Sequence, residues 1–385
     1  MERKKILIIG MFDSIHLARW LEQFKNDNID FTLVPSKKFR HCHYNLSKLL
    51  ESREKASFLV VWPYKCIRFA GYFDFILVKI YRILGLNYRQ GLLKRVLKKH
   101  KFNLVHAFEI QGAGYLYDSL PKRYSRDNKL ILTNWGSDIS FFINFSEHKK
   151  KIMQILKKAS YYSGECERDY QLASKYGFKG QFLPCIPNAG GFSDYEINKN
   201  KANCSSRELI LCKGYGGTFG RVDLVLSGIE NFLIVNCDFK IYFYSVTTDV
   251  QPQIEELMHK FAGRVDFSTI RKPIDRSLLL DLFAMARVYI GCSMSDGIST
   301  SFLEALVAGA YPIQTKSSCA SEWLEKGAIA SIVEIDSGSI YAELDRIIYD
   351  NKLLDFAQQR NLAVAKTSLK YTKISKIAHT YYGIE

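Results

Sequence analysis

Two doubly wound α/β halves, each a largely parallel sheet with helices on both faces, are predicted by three features of this 385-residue chain. Apolar strand-like runs alternate with helical patterns from one end to the other, which is the pattern of a parallel sheet. A breaker cluster, CIPNAGGFSDY, interrupts the alternation near the middle and leads into the polar stretch NKNKANCSSRE. The length itself is about what two domains require.

The elements follow in order. KKILIIGMF reads as a buried first strand, and SIHLARWLEQFKND as a helix with Ile15, Ala18, Leu21 and Phe24 on one side. IDFTLVPS, SFLVVWPY, NLVHAFEI and KLILTNWG read as four further strands, with helical patterns such as GLLKRVLKKHK and EHKKKIMQILKKAS between and after them. After the breaker cluster the alternation restarts with ELILCKGYG, FKIYFYSV, RVDFSTI, ARVYIGCS, AYPIQT and AIASIVEI. The expected domains are residues 1–190 and 200–370, with a closing helix over 371–385 that packs back on the first domain.

Composition narrows the function classes. With 47% hydrophobic and 24% charged residues, the chain is of ordinary globular make-up. Its nine cysteines are odd in number, scattered and without a C-x-x-C pair, which fits a reducing compartment. The tripeptide His41-Cys42-His43 has no partner cluster in sequence, so no metal site is expected there. ILIIGMF is short and meets Asp13 without a cleavage pattern, and no 18-residue apolar run occurs. A cytoplasmic chain, peripheral at most to the inner face of a membrane, is the expectation. The first strand–turn has Gly10 followed by Met-Phe-Asp-Ser, not G-x-G-x-x-G, which argues against a dinucleotide cofactor.

Charge is lopsided. The net charge is +15, yet residues 1–190 carry 33 Lys+Arg against 16 Asp+Glu, and the remainder is close to neutral. Between Trp62 and Lys101 there are ten basic residues and one acid, Asp74, interleaved with aromatic and aliphatic side chains. AGYFDFILVKIYRILGL and GLLKRVLKKHK read as amphipathic basic helices. They suit an anionic membrane surface, or else a core-facing apolar stripe with a solvated basic back.

The richest segment is GCSMSDGISTSFLEALVAGAYPIQT, Gly291 to Thr315. A strand empties into a loop of small hydroxyl residues, a helix follows, and Gly309 closes it. Such a loop lies at the carboxyl end of a parallel strand, where open α/β sheets bind ligands, and its helix N-terminus offers amides to phosphate. Ser301-Phe-Leu-Glu304 also matches the capping box S-x-x-E, a purely structural reading of the glutamate. That reading leaves Asp296-Gly297 unexplained.

With Asp296 and Glu304 eight positions apart, this segment resembles the Glu-x7-Glu signature of retaining glycosyltransferases of family 4, with Asp in place of the first Glu. ILCKGYGGTFGR resembles that family's basic loop, FLPCIPNAGGF its hinge, and LVHAFEIQGAGY and LTNWGSDI its acceptor-side motifs. The resemblance implies the fold called GT-B: two Rossmann-like domains facing across a cleft, the donor in the second. It implies that Lys213 and Arg221 grip a nucleotide diphosphate together with the amides near Ser299 and Thr300. Ile270 and Arg271 would flank the base, Asp296 would take sugar hydroxyls, and Glu304 the ribose. Gly297 and Ile298 complete the donor loop. On the acceptor side stand His16, Glu109, Trp135 and Asp138. His16 touches the reaction centre or caps its helix, and Asp138 orients an acceptor hydroxyl. Where the family often carries His-Gly, this chain has Trp135-Gly136, whose indole either stacks on a sugar or packs.

The implied reaction is a retaining transfer from a nucleotide-diphosphate sugar, UDP- or GDP-linked, to a saccharide acceptor. Family habit and the basic half together point to a lipid-linked acceptor in capsule, lipopolysaccharide or exopolysaccharide assembly. No Asp-x-Asp occurs in the chain, so two cations in place of a metal are expected to neutralise the diphosphate. No bound cofactor is expected. The alternatives are a nucleotide-sugar epimerase on the same fold, which would need further acid/base residues, and a basic membrane- or nucleic-acid-binding protein. Nucleic acid is not the expected partner, since that reading rests on charge alone.

Overall fold

The computed structural model describes residues 3–52, 55–61, 64, 69–125, 128–199 and 202–384. They form two compact units, Met1–Gly190 with Ile374–Glu385, and Gly191–Lys373. The passage from one to the other falls inside the Asn-Ala-Gly-Gly breaker.

The first unit is built on a seven-stranded parallel sheet. Its strands are β1 (Lys4–Gly10), β2 (Ile29–Pro35), β3 (Ser57–Val60), β4 (Leu104–Ala107), β5 (Leu130–Thr133), β6 (Tyr161–Ser163) and β7 (Gln181–Phe182). Their order is β3-β2-β1-β4-β5-β6-β7. The central strands are apolar on both faces, as a sheet covered by helices on each side requires: Ile6, Leu7, Ile8 and Ile9 of β1 are all buried. β6 and β7, of three and two residues, are additions to the sequence-predicted strands.

The closing helix Tyr371–Tyr381 delivers Ile374, Ala378, Tyr381 and Tyr382 into this unit's core. A buried hydrogen-bond chain fixes the contact. Trp20 Nε1 donates to Tyr382 Oη (2.9 Å), Tyr382 Oη lies 2.7 Å from His106 Nδ1, and His106 Nε2 lies 2.5 Å from Thr133 Oγ1. Tyr382 has one proton to give, so it donates to Nδ1 and the imidazole hydrogen sits on Nε2 toward Thr133. Burial pushes the His106 pKa down to about 3, which keeps the ring neutral. His43 likewise serves the fold. Its Nδ1 accepts from Asn45 N (3.2 Å) and caps the helix Tyr44–Glu51.

The second unit has a six-stranded parallel sheet of β8 (Leu209–Lys213), β9 (Lys240–Val246), β10 (Val265–Thr269), β11 (Ala286–Gly291), β12 (Tyr311–Thr315) and β13 (Ser331–Val333), in the order β10-β9-β8-β11-β12-β13. Successive strands therefore run outward in opposite directions from a central pair. That switch point lies between β1 and β4 in the first unit and between β8 and β11 in the second. Loops leaving the carboxyl ends of such a pair diverge and open a crevice, the usual ligand site of the architecture.

Candidate functional site

In the second unit both loops at the switch point carry sequence-predicted residues. Lys213 ends β8 and opens the loop Gly214–Arg221. The chain can turn there because Gly214 sits where a Cβ would come 2.6 Å from Val246 Cγ2, and Gly220 where one would come 2.2 Å from Tyr215 O. This loop is stitched to the one leaving β11 by the antiparallel bridge Gly220–Ser293. Met294 N donates to Phe219 O (2.8 Å) and Arg221 N to Cys292 O (3.3 Å). The two cations and the Ser-Met-Ser-Asp loop thus form one wall.

The helix Thr300–Ala308 begins at Ser299, whose side chain makes no cap hydrogen bond. Among the described residues no side chain accepts from the amides of Thr300, Ser301 and Phe302, so the helix presents free N–H groups. The capping box does not form. With Ser299 as the cap, Glu304 lies beyond the third helical position, and the Ser301 hydroxyl accepts from Tyr244 Oη (2.6 Å) instead. Glu304 is 4% exposed. Its Oε1 accepts from Arg276 Nη1 (2.9 Å), while Arg276 Nη2 holds Glu196 Oε1 (2.9 Å). Arg276 is the member of the site that sequence reading missed. It stands at the start of the helix Arg276–Met285, after an Asp275 in the cap position, with no motif to mark it.

Lys213 is partly buried, which works against its charge, but Tyr215, Tyr289, Asp296 and Glu304 outweigh this and raise its pKa. Its Nζ lies 4.3 Å from the Tyr215 ring centroid. A protonated lysine with two carboxylates in its field is the centre of the site. Asp296 is half-buried, and its Oδ1 accepts from Gly297 N (2.9 Å). Arg221 is more open: it pairs with Asp223 (Nη2–Oδ2 2.9 Å), which raises its pKa, and touches Met294 Sδ (3.4 Å). Ile270 and Arg271, just past β10, are exposed and able to meet a flat group. Ile298 packs into the core, so only its backbone faces the loop.

The first-unit residues gather at that unit's own switch point. Ser14 caps the helix Ile15–Glu22 by accepting from His16 N (3.1 Å), so His16 is not the cap. The His16 ring meets Trp135 edge-on at 5.0 Å, and Trp135 meets Phe108 edge-on at 5.7 Å. Trp135 therefore packs, half-buried, with its indole N–H buried and without an acceptor among the described residues.

Glu109, 1% exposed and strained at φ 152°, accepts from Gly112 N and Ala113 N (both 2.7 Å) and pairs with Lys37 (3.0 Å). Asp138 Oδ2 accepts from Ile110 N (2.9 Å) and Trp135 N (3.2 Å), tying the β4 and β5 loops together. Burial, then the nearby Glu109 charge, pushes the Asp138 pKa up to about 7.

A raised carboxyl pKa means the folded chain binds a proton that the unfolded chain has already released between pH 4 and 7. Folding stability therefore falls as pH rises across that window. Asp138→Asn keeps an oxygen for the two amides and removes the titration. We expect its urea midpoint to match the parent near pH 4 and to exceed it at pH 8, with a flatter profile between. Parallel profiles for the two proteins would refute the assignment.

Comparison with known proteins agrees with this architecture. Residues 69–166, within the first unit, match the family model described as "Glycosyl transferase 4-like". Among solved structures, HepE of Anabaena, determined with UDP and glucose, aligns over 99% of this chain and 100% of its own at 14% identity, TM-score 0.69. Sucrose-phosphate synthase of Thermosynechococcus elongatus aligns over 99% and 98% at 13% identity, TM-score 0.70. The fold is GT-B. An α,α-trehalose 6-phosphate synthase from Burkholderia multivorans aligns over 99% of both chains at 10% identity, TM-score 0.69. No curated protein sequence matches the chain. These identities speak for the GT-B fold alone, and the chemistry has to come from the side chains.

Proposed function

We propose that this chain is a retaining glycosyltransferase that takes a sugar from a nucleotide-diphosphate donor held by the second unit and passes it to a saccharide acceptor. One observation carries the reading: Lys213, Arg221 and the uncapped amides of Thr300–Phe302 share one wall at the switch point of the second sheet, with Asp296 and Glu304 beside them. Positive groups fixed before the reaction are what a departing diphosphate needs. The match over 69–166 and the relatives' architecture support the same reading.

In the transfer, the bond from the anomeric carbon to the diphosphate oxygen breaks. The bonding pair leaves on the diphosphate oxygen, whose negative charge Lys213, Arg221 and the helix amides stabilise. The acceptor hydroxyl attacks on the same face and gives its proton to the departing phosphate oxygen, so the anomeric configuration is retained. Asp296 takes donor-sugar hydroxyls and Glu304 the ribose hydroxyls, with Arg276 holding the Glu304 carboxylate in place. Ile270 and Arg271 cover the base, and Trp135, His16 and Asp138 shape the acceptor side. With two cations and no Asp-x-Asp, the diphosphate is neutralised without a metal ion. HepE was determined with UDP and with UDP-glucose, which favours a uridine nucleotide here. The acceptor is proposed to be lipid-linked, as an intermediate of cell-surface polysaccharide assembly is.

Calorimetric titration with UDP, GDP and ADP, each with and without EDTA, tests the donor assignment. UDP binding that EDTA leaves unchanged and Glu304→Ala weakens at least tenfold is expected. Binding that requires a divalent ion would overturn metal independence, and no binding of any diphosphate would overturn the donor site.

A further inference from the structure

The helix Ala70–Ile83 carries large apolar residues on its outward face as well as its inward one. Its one acid, Asp74, is fully buried, where Arg89 Nη2 donates to both carboxylate oxygens (2.6 and 2.7 Å) and Tyr64 Oη donates to Oδ1 (2.7 Å). Gly71 seats the helix so closely that a Cβ there would lie 1.8 Å from Arg40 O. The helix is therefore anchored through Asp74 and through Leu77, Val78 and Tyr81, which pack on the core, and a second set of large apolar residues faces outward. Tyr72, Phe75, Ile80 and Ile83 are exposed by 65, 49, 47 and 77%, Phe69 before them by 58%, and Leu84 after them by 63%. The next helix, Tyr88–Lys99, is arranged conventionally beyond Arg89, with Leu92, Leu93 and Val96 inward and Arg95, Lys98 and Lys99 outward.

A helix apolar nearly all round belongs in a core or in lipid. Fourteen residues span about 21 Å at 1.5 Å per residue, too short to cross a bilayer. No helix among the described residues is long and apolar enough to do so. The charge around the patch decides the occupant. Lys79 and Arg82 lie in the exposed run, and Lys38 Nζ sits 4.5 Å from the Phe75 ring centroid. Arg95, Lys98 and Lys99 are exposed on the following helix. Among the described residues none of these cations is paired with a carboxylate. Apolar side chains rimmed by unpaired cations complement an interface of acyl chains beneath anionic headgroups.

We propose that residues 69–86 form a docking face for an anionic lipid surface. Tyr72, Phe75, Ile80, Ile83 and Leu84 enter the headgroup–acyl boundary, and Lys38, Lys79 and Arg82 sit at the phosphates. The proposal does not rest on the transfer reaction, because lipid binding is read without a nucleotide.

The test is co-sedimentation of the full chain with vesicles of phosphatidylcholine alone and of phosphatidylcholine mixed with phosphatidylglycerol, over a salt series. The parent is expected to pellet with the mixed vesicles at low salt and at least tenfold less with the neutral ones. Phe75→Ser/Ile83→Ser should lower partitioning at least tenfold at every salt concentration. Lys79→Gln/Arg82→Gln should lower it about tenfold, with most of the salt dependence lost. Unchanged melting curves in both variants establish that they fold. No pelleting of the parent with anionic vesicles would overturn the proposal, as would undiminished pelleting of Phe75→Ser/Ile83→Ser. A parent that is dimeric in ultracentrifugation and becomes monomeric in that variant, without vesicle binding, would assign the face to a second copy of the chain.

Discussion

Lys213→Ala should weaken UDP binding by a factor of about 10²–10³ while leaving the melting temperature within a few degrees of the parent. The side chain ends β8 and holds its charge against burial because Tyr215 and Tyr289, then Asp296 and Glu304, share its field. Removing it deletes the cation nearest the proposed diphosphate and leaves the two carboxylates facing an anion. Losing one partner of a largely desolvated charge pair costs about 3–4 kcal/mol, which is that factor in affinity. Arg221→Ala should cost less, about tenfold, because Arg221 is more open and already has Asp223 as a partner. Calorimetry on the two variants checks the order. If Lys213→Ala binds UDP within threefold of the parent, the diphosphate lies elsewhere.

Arg276→Leu should destabilise the second unit by about 3 kcal/mol, since it strands a buried Glu304 and removes the clamp on Glu196 at once. For a unit of this size that corresponds to a fall of about 6–12 °C in its thermal transition. Arg276→Lys should recover part of the loss, because one ammonium can reach one carboxylate but cannot fork between two. The combination Arg276→Leu/Glu304→Gln should recover more, because the uncompensated charge is gone. Calorimetric melting of the four proteins measures this. A single variant no less stable than the parent would show that Glu304 does not depend on Arg276.

Much of this fold is legible in the residues, and the failures have physical causes. The apolar runs of β1, β8 and β11 announce buried parallel strands because helices cover both faces of each sheet, so no polar alternation is needed. β6 and β7 escape notice because two or three residues carry no period; the sheet edge recruits them through backbone pairing alone. At the candidate site, the loop residues show in sequence because turns and phosphate cradles require glycine and small hydroxyl residues at fixed spacing. Arg276 does not show, because it reaches Glu304 from a different helix and only the fold brings them together. S-x-x-E misleads as a capping box because the helix starts at Ser299, two residues before the serine that the pattern names. The helix Ala70–Ile83 misleads in the opposite way. Its basic and apolar residues read equally well with either face inward, and the buried pairing of Asp74 with Arg89 is what selects the orientation.

Hydrogen–deuterium exchange of the intact chain with and without UDP locates the donor site most directly, because it reports backbone amides whatever the acceptor is. Slower exchange in residues 214–221, 270–271 and 296–303, in EDTA, is the predicted result. Protection confined to the first unit, or none at saturating UDP, would contradict a donor site built on Lys213, Arg221 and the amino end of the helix Thr300–Ala308.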